Sequence, residues 1–201
     1  MNQYQFTSLD QVGAARALPA DDQTQYDAFT IALHWATAGL VVLQFVLAET
    51  WGFPNRPTRH LMIVMHMSFG ILLSAVLIAR IAWRLTRGRH LPPAASGWVE
   101  LASNAVHYLL YTLLVAEAVL GFLFRWSGDE AMSFFGLLIP SPFPPFSKAA
   151  HHIMADAHNY IGWIIVILAA GHAAAALFHH YVLRDGVLRR ILPGGRAQEG
   201  A

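Results

Sequence analysis

Long apolar stretches and short polar ones alternate along the chain, and the apolar stretches recur four times. A bilayer core requires about 20 mostly apolar residues per helix. Runs near Phe29–Ala48, Leu61–Trp83, Asn104–Arg125 and Ala157–Phe178 meet that requirement. The pattern predicts an all-α integral membrane four-helix bundle with these four spans. The third span has the least sharply marked start, since Leu101 fits inside the helix as well as outside it. Residues 1–25 read as a mobile polar tail, 26–193 as the four-helix unit and 194–201 as a C-terminal tail. The start of the chain is polar and slightly acidic with no early apolar run, so a signal peptide is not expected there.

The third connection, Trp126–Asp156, is long. Its "IPSPFPPFSK" carries Pro140, Pro142, Pro144 and Pro145, which exclude a regular helix. The apolar "MSFFGLLI" before it is too short to span, and the segment reads as a structured outer cap. No soluble domain and no internal repeat is visible.

Charge position sets direction. Arg16, Arg80, Arg84, Arg87, Arg89, Arg184, Arg189, Arg190 and Arg196 fall on one side of the spans; Arg56, Arg59, Arg125 and Lys148 fall on the other. Cytoplasmic loops carry the excess of Lys and Arg, so both termini are expected in the cytoplasm and the protein in a bacterial inner membrane. Composition sharpens this picture. Charged residues make up 12% of the chain against 56% hydrophobic, well below the roughly 25% charged fraction of soluble domains. Six Trp and six Tyr suit two membrane interfaces. The net charge of +1 gives no sign of a nucleic-acid partner. Zero cysteines exclude disulfides, thiolate metal sites and covalent C-x-x-C-H haem attachment.

Ionisable groups at membrane depth are costly and usually functional. His34 and His172 fall near the cytoplasmic ends of the first and fourth spans, and His66 and His158 near the outer ends of the second and fourth. That gives two pairs, His34 with His172 and His66 with His158. His158 and His172 are 14 residues apart, about 21 Å of helix and within about 40° of one face. Two bis-histidine sites can stack across such a core, and haem in bundles is held by side chains on facing helices. Two axial histidines fill the iron's coordination sphere and favour electron transfer over oxygen binding.

The motifs "IALHWATAG", "MIVMHMSFGILL", "NAVHYLLY" and "GHAAAALFHHYVLRDGVLRRILP" resemble the bacterial cytochrome b561 family over about Tyr26 to Pro193. The resemblance implies a four-helix inner-membrane protein with two b haems, His34 and His172 ligating the inner one and His66 and His158 the outer. Within the family it is nearest the superoxide oxidase type, which takes electrons from superoxide at the periplasmic side and reduces ubiquinone. Other relatives are cytochrome b subunits of hydrogenases and formate dehydrogenases. The chain departs from the pattern in its longer N-terminal tail and in Glu117, an acid in an apolar stretch.

Other residues keep two readings. His151 and His152 rival His158 as ligand, while His60 and His90 read as solvated loop residues. His107 and His179 are quinone-site candidates, because a quinone needs hydrogen-bond donors and a proton source; with His180 they also suit the headgroup region. Glu117 fits a proton or quinone path, or a protonated acid hydrogen-bonded in the bundle. Arg80 fits snorkelling or a haem propionate. The outer cations fit attraction of an anion such as superoxide, or ordinary loop charge. Gly39, Gly70, Gly121, Gly162 and Gly171 fit close approach of a flat ring or plain helix packing.

The leading expectation is a di-haem oxidoreductase of the respiratory chain, passing electrons from superoxide to ubiquinone. The alternative is an electron-transfer module for a dehydrogenase, hydrogenase or periplasmic redox protein, with the outer cap as docking surface. Expected partners are thus membrane lipid, ubiquinone, and superoxide or a periplasmic redox protein, with self-association left open. A histidine-based metal or proton transporter would want Glu-x-x-His pairs; Ile31, Ile63, Ala155 and Ala169 stand three before the four histidines instead.

Overall fold

In a computed structural model the described residues are 25–89, 91–93 and 96–194. The expectations for most of the N-terminal tail, for Arg16, His90 and Arg196, and for most of the C-terminal tail fall outside them. Four long helices make up nearly all of the rest: α1 (Ala28–Thr50), α2 (Arg56–Thr86), α3 (Trp98–Ser127) and α4 (Lys148–Phe178). Each is long and apolar enough to cross a membrane. Their outer faces confirm the solvent they suit: Val42, Ile78 and Ile167 are 62–68% exposed, while Ile31, Leu33, Leu77 and Ile165 are buried between helices. Apolar surface of that extent on a helical bundle belongs against lipid.

Three of the four helices start where polar caps place them. Asp27, Asn55 and Ser147 accept the N–H of Thr30, Thr58 and Ala150, satisfying a first-turn donor in each case. Pro57 stands in the first turn of α2, where its missing N–H costs nothing. Asn55 and Ser147, and Gly97 ahead of α3, lie beyond the apolar runs, so α2, α3 and α4 extend outside the apolar windows. His60 is therefore an exposed residue of α2, not of a loop. Leu101 lies inside α3. The third connection is shorter than the sequence suggests, because α3 continues to Ser127 and α4 begins at Lys148.

α1 packs on α2 and α3 on α4, with far fewer contacts between the two helix pairs. The start of α1, the end of α2, the start of α3 and the segment after α4 share one face, here the terminal face. The opposite face carries an antiparallel hairpin, β1 (Met132–Phe134) and β2 (Leu137–Ile139). Its two-residue turn places Phe135 at φ 49° and Gly136 at φ 95°, the sign pattern of a tight hairpin turn whose twist matches its strands. The hairpin leans on α2. Ser68, fully buried, accepts the Phe135 N–H at 2.8 Å and donates to Val64 and Ser133 carbonyls at 2.7 and 3.2 Å. Non-helical backbone beside a bilayer needs such partners. The outward Phe135, Leu137 and Leu138 are more than half exposed.

On the terminal face, Asp27 ties α1 to the end of α2. It accepts from Thr30, from Trp83 Nε1 at 3.1 Å and from the Arg89 N–H at 3.3 Å. Partial burial opposes its charge, but these hydrogen bonds outweigh it and hold the carboxyl at about 2. The C-terminal segment closes on the same end through Tyr26 N–H to Arg190 O and Trp35 Nε1 to Ile191 O. Beyond Phe178, α4 widens into a π turn, His179–Leu183, ended by Arg184 in the left-handed conformation.

Candidate haem sites

His66 stands ten residues into α2 and His158 ten residues into α4, both counted from the hairpin face. Equal depth on facing helices brings their rings together. The centroids are 6.3 Å apart and the planes cross at 88°. A metal–imidazole bond of about 2 Å, plus about 1.2 Å from nitrogen to ring centre, places two axial imidazole centres about 6.4 Å apart. The pair thus has the spacing an iron between two histidines requires. The outer nitrogens are engaged as well. Nδ1 of His66 donates to the Gln44 carbonyl at 3.2 Å, which leaves Nε2 with a free lone pair. Nδ1 of His158 lies 3.2 Å from Glu117 Oε1, off the line of a hydrogen bond. Trp51 packs edge-on to His66 at 5.2 Å, and Phe124 stacks on His158 at 6.4 Å.

Glycines make room for this arrangement. A Cβ at Gly70 would stand 2.7 Å from Gln44 Nε2, which donates to the His66 carbonyl at 3.0 Å. A Cβ at Gly121 would meet His158 Cε1 at 3.3 Å, and one at Gly162 would meet Glu117 Oε1 at 3.1 Å. These three glycines therefore fit close approach. Gly39 and Gly171 have no such neighbour.

The second cluster lies toward the terminal face. His34 is within charge-interaction reach of Arg80, His172 and His107. Arg80 donates to His34 Nδ1 at 3.0 Å and lies over the Tyr111 ring at 5.1 Å. It therefore points into the bundle, and snorkelling does not describe it. His172 meets His107 edge-on at 4.9 Å, closer than two rings separated by an iron. His107 donates from Nδ1 to the Ser103 carbonyl at 2.7 Å.

The remaining histidines divide by surroundings. His151 and His152 lie in the first turns of α4. His151 bonds Ser127 at 3.0 Å and tilts onto Phe124, nearer the hairpin face than His158. His179 contacts Asp185 Oδ2 at 2.5 Å, and that hydrogen bond holds the Asp185 carboxyl below its ordinary range. Nδ1 of His180 is buried without a partner. The sequence reading did not single out Gln44, Trp51 or Phe124, and did not connect Glu117 with His158.

The family profile described as prokaryotic cytochrome b561 matches residues 25–194. The chain is 30% identical over 178 residues to cytochrome b561 homolog 2 of Escherichia coli, covering 84% of this chain and 91% of that protein. It is 27% identical to the probable superoxide oxidase CybB of Yersinia pestis, covering 86% and 98%. It is 27% identical to cytochrome b562 of Cereibacter sphaeroides, covering 83% and 94%. The four membrane-crossing helices and the match along 25–194 place this chain in the prokaryotic cytochrome b561 family, the multi-pass membrane cytochromes whose cofactor is haem b.

Proposed function

We propose that the protein is a two-haem superoxide:ubiquinone oxidoreductase of the bacterial inner membrane. The observation that carries the reading is the His66–His158 pair, 6.3 Å apart and near-perpendicular. Haem b held by two imidazoles would supply one-electron transfer. His66 and His158 would hold one haem, and His34 and His172 the other. The Gln44 carbonyl fixes the His66 tautomer. The Arg80 guanidinium instead donates to Nδ1 of His34, which keeps the proton on Nε2, so His34 would be free to hold iron through Nε2 once Arg80 turns to another acceptor such as a haem propionate.

The Arg excess toward the terminal face supports a cytoplasmic orientation for that face and a periplasmic one for the hairpin. Superoxide is the electron donor on the hairpin side, a reading supported by the similarity to the probable superoxide oxidase. Ubiquinone is reduced on the terminal side, where His107 and His179 would hold its oxygens and move protons. Asp185 orients the His179 ring through Nδ1. Two superoxide anions give up two electrons and leave two dioxygen molecules; one ubiquinone takes the two electrons and two protons.

Stopped-flow mixing of the purified protein with superoxide tests this. Superoxide should reduce the haem bands within the mixing experiment, and added ubiquinone should reoxidise them. Bands that stay oxidised through the superoxide pulse overturn the donor. A periplasm-active reporter fused after Ala201 should be silent; an active one overturns the orientation.

A further inference from the structure

Glu117 is an acid in the apolar middle of α3, outside both the four candidate haem ligands and the quinone-side histidines. Counted from the hairpin face it lies ten residues inside α3, the depth of His158 inside α4. The two helices pack on each other. Each gives up a side chain to admit the partner's group. Gly121, one turn from Glu117, leaves the space that His158 fills; Gly162, one turn from His158, leaves the space that Glu117 fills. Within this reciprocal fit Nδ1 of His158 comes to 3.2 Å from Glu117 Oε1. Nδ1 and the second oxygen, Oε2, are both buried without a well-aligned hydrogen bond, and the other acceptor near the imidazole is the main-chain carbonyl of Glu117 itself.

We propose that Glu117 is the positioning residue for His158. Its carboxyl oxygen accepts the Nδ1–H, which fixes the tautomer that leaves the Nε2 lone pair for iron. Either protonation state of the carboxyl retains an oxygen able to accept. Histidines that bind metals commonly donate their second nitrogen to a carboxylate or a carbonyl, and that bond raises ligand basicity. His66 has the carbonyl version through Gln44, and His158 has the carboxyl version. A more basic ligand favours ferric iron, so the Glu117 contact lowers the potential of the haem that His158 holds.

The inference rests on His158 being an iron ligand, and the experiment separates the two. Haem content, α-band position and both midpoint potentials are measured for the wild type and for His158→Ala, Glu117→Leu and Glu117→Gln in lipid nanodiscs. His158→Ala should lose one haem and so identify its band. Glu117→Leu should keep both haems and raise the potential of that one alone. Glu117→Gln, whose amide oxygen still accepts, should shift it in the same direction by less. Both potentials unmoved in Glu117→Leu, with the haem still lost in His158→Ala, overturns the positioning role and leaves the ligand in place. Both haems retained in His158→Ala overturns the ligand itself. Where Glu117→Leu does not load haem, Glu117→Gln decides: a loaded protein with the smaller upward shift supports the role, and an empty or unshifted one overturns it.

Discussion

Gly121 offers a graded perturbation of the outer site. A Cβ there would stand 3.3 Å from Cε1 of His158. Carbon atoms in contact prefer about 3.5–4.0 Å, so alanine must push the imidazole back by about 0.2–0.7 Å. Metal–ligand distances hold to within about 0.2 Å. In the apoprotein the ring can turn away, so the cost falls on the haem-loaded state. Alanine's helix preference over glycine is common to both states and cancels. Overpacking of one methyl costs about 1–3 kcal/mol, which corresponds to a drop of about 5- to 150-fold in affinity for that haem. Gly121→Leu adds bulk that no ring rotation admits and should leave the site empty. The assay is titration of haem into apoprotein, followed by absorbance and by a pyridine haemochrome count per chain. Val119→Leu, on a side chain 51% exposed on the same helix, should bind haem as the wild type does. A Gly121→Leu protein that carries its full haem with unshifted bands would refute the placement of His158.

His34→Ala and His172→Ala should remove one and the same haem, and His66→Ala and His158→Ala the other; removal of a haem by His152→Ala but not by His158→Ala, in haemochrome counts, would move the fourth ligand. His107→Ala or His179→Ala should slow reoxidation by ubiquinone with haem content and electron entry unchanged; wild-type rates in both variants would place the quinone elsewhere. Asp27, held at about 2 in the folded protein against 3.8 as its ordinary value, contributes stability that is present above about pH 4 and lost as pH falls toward 2. Melting temperatures between pH 5 and 2 should fall less steeply for Asp27→Asn, and parallel curves would assign the acid sensitivity to other carboxyls.

The four helices were legible because lipid imposes a length and a composition that the sequence must display. Their ends were not, because a helix in water or at the interface stops where a cap stops it. Asn55, Ser147 and Gly97 lie five to ten residues outside the apolar runs. The "MSFFGLLI" stretch reads as a cap of unstated form, yet only Ser68, sixty-odd residues earlier, supplies the hydroxyl that lets a hairpin turn sit on α2. Gln44 and Arg80 were out of reach for a similar reason. What they touch depends on the rotation of α1 and α2 about their axes, which apolar periodicity defines poorly in helices that are apolar nearly all round.

Glu117 is legible in the sequence through depth along the helices. Counting depth from one face brought together His66 and His158, whose rings the structure holds 6.3 Å apart. The same depth holds for more than histidines. Applied to every ionisable residue, it sets Glu117 level with His158 on the neighbouring helix. The pattern Glu-x-x-x-Gly on α3 then lies opposite His-x-x-x-Gly on α4. Each glycine sits one turn along from the polar group, where side chains at i and i+4 share a face. A bulky residue at either glycine would have held the two groups apart. In helices spanning a membrane, a lone acid is therefore best read together with the small residue one turn away and with whatever ionisable group lies level with it across the interface.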